Sequence, residues 1–191
     1  GHHSGHYWIL HPDSYCTRRR VAISTIAAKV TNGKVKIAWD SQVTSGNSKS
    51  LGMNKVVKIN DQFAVGIAGL LRFANIIHRT SVNKIHPFDL KQDDFDGYGW
   101  LLDEAVPAWQ KAVKKELDNS PMADAYEDYV PWGHCLVVVG GKLFTVGGDF
   151  AVSTRGDFAA IGSGSDFATT AMHLGKTSKQ AVEVATELDL Y

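Results

Sequence analysis

Five side chains with chemistry in them cluster at the open ends of two expected hairpins. The first hairpin is "STIAAKVTNGKVKIAWDSQVTSGN", residues 24 to 47, which has Ser24 and Thr25 at one end and Asp40 and Thr44 at the other. Asn-Gly is the strongest short-range signal for a two-residue hairpin turn, so Asn32-Gly33 centres the hairpin. Counting outward from it sets Thr31 opposite Lys34, Thr25 opposite Asp40 and Ser24 opposite Ser41. A second hairpin, "NKVVKI", Asn60-Asp61 and "QFAVGIAG", sets Lys55 opposite Gly66 by the same count. Hydroxyls, a carboxylate and an amine at neighbouring strand ends are the groups that nucleophilic catalysis uses. Taken singly, they are also what ordinary strands expose: hydroxyls on a surface, an aspartate at a turn, a lysine guarding a sheet edge.

The elements that must position these groups read as strands, helices, strands, helices. "GLLRFANIIHRTSV" places Leu70, Leu71, Ala74, Ile77 and His78 on one helical face. "GWLLDEAVPAWQKAVKKELDN" repeats apolar residues around Trp100, Leu101, Ala105, Ala108, Trp109 and Val113, with Pro107 starting or kinking it. "HCLVVV", Gly140-Gly141, "KLFTVGGDF" and "FAAIGSGS" are buried strands with glycine turns. Two helices end the sequence, one capped by Ser165 or Asp166, the next by Thr177 or Ser178. Blocks of strands and helices, rather than alternating βαβ units, predict an α+β fold with antiparallel sheets inside and helices outside.

Composition narrows the function classes. The 191 residues are 44% hydrophobic and 21% charged, enough for one sizeable core and one domain, residues 24–191. Lys plus Arg and Asp plus Glu are 20 each, so no net charge recruits nucleic acid or an anionic membrane. Cys16 and Cys135 are too few for a disulfide framework, and no Cys/His spacing suggests zinc. A reducing, cytoplasmic setting is expected. No apolar run approaches the roughly 18 residues a spanning helix needs. Residues 1–23 carry no periodicity and no secretory pattern, and read as a tail, a pro-segment or a cloning remnant. "GSG" at 162–164 lacks the Lys and the full spacing of a phosphate loop. His78, His134 and His173 stand apart in sequence as packing or surface residues, and Cys135 sits in an apolar strand as a structural thiol.

"STIAAKVTNGKVKIAWDSQVTSGN", "NKV" before a strand, "GIAG" and "AIGSGSDFATTA" together resemble the proteasome β-subunit family, most closely the bacterial HslV-type (ClpQ) peptidase. The resemblance implies a four-layer αββα sandwich of the N-terminal-nucleophile hydrolases. It puts the nucleophile at Ser24, 16 residues before Asp40, with Thr25 as the alternative. The α-amine of the nucleophile would be the base, its ordinary pKa of about 7.7 to 8.0 being suited to that task. Lys55 would lower the nucleophile's pKa, Asp40 would partner Lys55, Gly66 N–H would stabilise the oxyanion, and Ser163 would support the amine. The backbone of Thr44 would hold an extended substrate as an added strand, and Asp189 is a candidate for the family's supporting aspartate. The implied activity is threonine/serine-type hydrolysis of unfolded proteins inside a homo-oligomeric ring, with an ATP-dependent unfoldase as a possible partner and no metal or cofactor. Activity would depend on removal of residues 1–23, because an amine tied in a peptide bond is no base. An inactive ring subunit that keeps its extension and a small-substrate amidohydrolase of the same fold are the alternatives.

Overall fold

Asn32 and Gly33 turn the first hairpin with φ of 51° and 71°, the double positive φ that a type I′ turn demands. The computed structural model describes residues 21–22, 25–40, 42–45, 48–51, 55–83, 95–118 and 133–189. Strand β1 is Val21–Ala22, and the hairpin strands are β2 (Thr25–Thr31) and β3 (Lys34–Trp39). They pair from Thr31↔Lys34 to Ile26↔Trp39, in the register the turn predicts. β4 (Gln42–Ser45) and β5 (Ser48–Leu51) make a separate two-stranded ribbon.

The second hairpin, β6 (Val56–Lys58) and β7 (Phe63–Leu70), corrects the count by one residue: Val56, not Lys55, is opposite Gly66. The turn is longer than two residues. Ile59 and Asn60 both donate backbone N–H groups to the Phe63 carbonyl, at 2.9 and 3.2 Å, and the Asn60 side chain accepts from Gln62 N–H at 2.8 Å. That local asparagine bond competes with a tight Asn-Asp turn. Lys55 instead lies across from Ile67, whose N–H donates to the Lys55 carbonyl at 3.0 Å.

β8 (Gly133–Val139), β9 (Lys142–Val146) and β10 (Val152–Thr154) extend the sheet in the order β1-β7-β8-β9-β10, with β6 also on β7. β11 (Phe158–Gly162) joins the first hairpin as β11-β2-β3. The two sheets face each other through Ile26, Ala28, Val56, Ala68, Leu136, Leu143 and Ile161. Their outer faces are covered by helices. On one side are α1 (Leu71–Asn83), then α2 (Gly97–Trp100), a π turn (Leu101–Ala105) and α3 (Val106–Asp118). On the other are α4 (Ser165–His173) and α5 (Ser178–Leu188), packed on Ala27. This is an α+β fold in four layers. Because both faces of β7, β8 and β9 are buried, their sequences are almost continuously apolar instead of alternating.

Three helix details differ from, or sharpen, the sequence reading. α1 buries Phe73, Ala74, Ile77, Thr80 and Ser81, a face rotated away from Leu70 and Leu71. Pro107 follows the π turn, in which Val106 N–H reaches back to the Leu101 carbonyl; the wide turn accommodates a residue that has no N–H of its own. α4 is capped by Gly164 without a side-chain bond, not by Ser165 or Asp166, whereas Thr177 and Gln180 close a full capping box on α5.

Candidate active site

The start of β2, the end of β3 and the residue before β6 meet at Asp40. Its backbone N–H donates to the Thr25 carbonyl at 3.2 Å, and its Oδ1 accepts from the Thr25 N–H at 3.1 Å. The same Oδ1 accepts from Lys55 Nζ at 2.7 Å, within the range of charge-assisted bonds. The Lys55 side chain is only 1% exposed and that of Asp40 15%. Burial holds the Lys55 pKa below its ordinary value, and the Asp40 charge and hydrogen bond oppose that shift in part. Asp40 thus ties the buried Lys55 ammonium to the backbone of residue 25.

The other wall comes from β11 and the two C-terminal helices. Gly162 pairs with Thr25, which puts Ser163 next to the start of β2. Ser163 Oγ donates to Asp189 Oδ2 at 2.5 Å, and Asp189 N–H is anchored on the Ala185 carbonyl at 2.7 Å. Gly164 is glycine for want of space: a Cβ there would run into the Thr25 hydroxyl and come within 2.9 Å of Ala185 Cβ and 3.5 Å of Asp189 Oδ2. Thr25 itself is 3% exposed.

Of the residues expected at the site, Thr25 and Lys55 are thus joined through Asp40, and Ser163 precedes Gly164, which packs on the Thr25 hydroxyl. Ser24 lies outside the described residues. Thr44 is in β4 opposite Lys49, its side chain outside the described set. Gly66 sits within the sheet opposite Leu136, and a Cβ on it would press Ile26 at 3.1 Å. Strand alternation directs its N–H as well. Ile67 N–H points to the β6 side, so the Gly66 N–H points to β8, while that of Gly69, two residues beyond Ile67, shares the β6 side. Gly69 was legible as the last glycine of "GIAG"; its φ of 139° marks a backbone that favours glycine.

The histidines and the cysteine stay out of this cluster. His78 is partly buried on α1 and its Nε2 has no partner among the described residues; burial pulls its pKa down to about 4, against a backbone hydrogen bond with Val65. Burial raises the Cys135 thiol to about 12. Among the described residues no group of three or more His, Cys, Asp or Glu could hold a metal ion, and no helix is long and apolar enough to cross a membrane.

A curated relative, the ATP-dependent protease subunit HslV of Ligilactobacillus salivarius, is 28% identical over 182 residues, spanning 88% of this chain and 94% of the relative. The chain is HslV-like in sequence and in fold. Eukaryotic HslV from Trypanosoma brucei superposes with a TM-score of 0.58 at 22% identity, covering 87% of this chain and 92% of that one. Thiobacillus denitrificans BPH superposes with a TM-score of 0.63 at 18% identity over 86% and 90% of the two chains, and it has also been solved in complex with epoxomicin. No family model matches the chain. The HslV-like fold accounts for the layers described above; at these identities the two solved structures speak to fold alone.

Proposed function

We propose that the protein is a serine/threonine-type N-terminal-nucleophile peptidase of HslV type, with Ser24 as nucleophile. The observation that carries this reading is the buried Lys55–Asp40 pair clamped to the backbone of Thr25. It fixes the residue next to position 24 and brings a cation to it. Thr25 is a poor nucleophile by comparison: its own nitrogen is spent on Asp40, and its side chain is buried against Gly164.

In the reaction, Ser24 Oγ attacks a substrate carbonyl and gives its proton to the free α-amine of Ser24. The tetrahedral oxyanion collapses, the C–N bond breaks and the leaving amine takes that proton. Water then hydrolyses the Ser24 ester by the same route. Lys55 favours the developing alkoxide, and Asp40 holds Lys55 in place. Ser163, oriented by Asp189, supports the amine. For the oxyanion, the Gly69 N–H at the edge of β7 is better aimed than the Gly66 N–H, which faces β8; loss of one such donor costs roughly 3 kcal/mol of barrier in comparable sites.

The reading includes removal of residues 1–23, assembly into a ring whose interior admits unfolded chains, with Thr44 holding the substrate strand, and a cytoplasmic setting. The HslV relative is described as ATP-dependent, so an unfoldase partner is part of the proposal. The rival reading, a catalytically silent ring subunit with its extension in place, is favoured by one observation: β1, which precedes Ser24, is paired on β7. Incubation with unfolded casein separates the two. Hydrolysis by the wild-type chain that disappears in Ser24→Ala supports the peptidase; equal rates for both chains contradict it. Epoxomicin, which BPH binds, supplies a second check: a mass adduct on the wild-type chain and none on Ser24→Ala.

A further inference from the structure

The tip of the first hairpin is the only Asn-Gly step in the sequence. Asn32 and Gly33 are both exposed. Among the described residues the Asn32 side chain has no hydrogen-bond partner and the Gly33 N–H has no acceptor. Nothing lies within 4 Å of where a Cβ on Gly33 would stand, so the backbone nitrogen between the two residues is open to approach. Other side chains of this kind are engaged or shielded. Asn60 accepts from Gln62 N–H at 2.8 Å and precedes Asp61, and Asn75 lies inside α1 before the branched Ile76. The Asp96 carboxylate, also followed by glycine, accepts from Gly99 N–H at 3.0 Å, and Gly97 is buried. The tip is also basic. Lys34 follows Gly33 and pairs with Thr31, and on the same face Lys36 stands directly opposite Lys29. Like charges opposite one another destabilise a sheet. Lys29 Nζ donates to the Lys176 carbonyl at 2.9 Å, and none of the three lysines makes an ion pair with a carboxylate among the described residues.

We infer that Asn32 is a site of spontaneous covalent modification, converted to aspartate and isoaspartate through a cyclic imide with Gly33, and that the hairpin keeps the first product and is broken by the second. The Gly33 nitrogen attacks Asn32 Cγ and gives its proton to solvent; the new C–N bond forms as ammonia leaves with the amide nitrogen. Water then opens the imide. Attack at Cγ breaks the new bond and leaves an aspartate with the backbone unchanged. Attack at the α-carbonyl breaks the old peptide bond, so the chain runs on through Cγ with one extra carbon and a free α-carboxylate. The Thr31↔Lys34 pair holds the backbone of the turn, so the ring closes when the hairpin tip opens, and local opening at the end of a ladder costs little. Positive potential from the lysines favours the anionic nitrogen that attacks and the carboxylate that results. Asp-Gly forms the same type I′ turn as Asn-Gly, whereas a longer backbone cannot span a two-residue turn in that register. The aspartyl product therefore sits among lysines that gain a counter-charge, and the isoaspartyl product unpairs Thr31 from Lys34.

The test ages the full wild-type chain at pH 7.4 and 37 °C beside an end-capped Lys-Val-Thr-Asn-Gly-Lys-Val-Lys peptide corresponding to residues 29–36. Peptide mapping by mass spectrometry, with fragmentation that separates aspartate from isoaspartate, follows each asparagine and Asp96. The expected result is the mass gain of an amide-to-acid exchange at Asn32, slower than in the free peptide because the tip must open, and at least tenfold faster than at Asn60 or Asn75, with Asp96 unchanged. A chain whose Asn32 is intact when the peptide has been fully converted overturns the inference, and so does conversion of Asn60 or Asn75 at the rate of Asn32. The fate of the two products is read by thermal unfolding. Asn32→Asp should melt at or above the wild-type temperature, and the isoaspartyl fraction of the aged chain, separated by ion exchange, should melt below it. An Asn32→Asp chain that melts clearly lower, or an isoaspartyl fraction that melts with the wild type, contradicts the roles given to the lysines and to the turn.

Discussion

Lys55 is the residue whose chemistry is most constrained by its surroundings. An ammonium at 1% exposure is expensive unless paired, and its 2.7 Å bond to Asp40 offsets only part of the desolvation. A methionine of similar length keeps the packing but leaves the Asp40 carboxylate without its ionic partner. Lys55→Met should therefore cost roughly 3–5 kcal/mol of stability in chemical denaturation and also lower casein hydrolysis about 100-fold or more at temperatures where the variant is fully folded. Unchanged turnover by the folded variant would make Lys55 structural. His78 offers a stability prediction with a definite sign. Its folded pKa, about 4, lies below the ordinary 6.5, so the unfolded state binds the extra proton more readily. The stability present above pH 6.5 is lost as pH falls from 6.5 toward 4, to a total of roughly 3 kcal/mol. Urea midpoints at pH 7 and pH 4.5 should differ accordingly, and His78→Gln should flatten the difference.

At the scale of elements, the first hairpin was legible over its described part, Thr25 to Asp40, because Asn32-Gly33 fixes both turn type and register. The second was misread by one residue because a local bond from Asn60 lengthens its turn, and pairwise counting has no access to side-chain bonds inside a loop. The same limit applies to α4. Ser165 and Asp166 look like caps, yet the cap is Gly164, and its reason lies far off in sequence: the Thr25 hydroxyl on β2 and Ala185 on α5 leave no room for a Cβ. The Lys55–Asp40 contact could be anticipated from hairpin ends plus the family resemblance, whereas the edge that turns Gly69 N–H outward depends on strand alternation around Ile67. Gly164→Ala should cost about 1–3 kcal/mol by crowding Ala185, and should also disturb Thr25 and the Ser163–Asp189 bond. Chemical denaturation checks the first effect. The second would show as lost activity even at temperatures where the variant is fully folded, which an unperturbed rate would contradict.

For the whole molecule, four layers with both sheets buried explain why β7, β8 and β9 are almost continuously apolar. Ring assembly follows from the HslV-type reading, so sedimentation should give a particle many times the 20.8 kDa of the chain; a monomer at micromolar concentration would favour small-substrate chemistry instead. Everything proposed for catalysis converges on a free amine at Ser24. The most direct measurement is the intact mass of wild-type and Ser24→Ala chains purified side by side, with N-terminal sequencing. The account predicts a wild-type chain that begins at Ser24 and a variant that retains residues 1–23. Two chains of the same length, both with the extension in place, would contradict it.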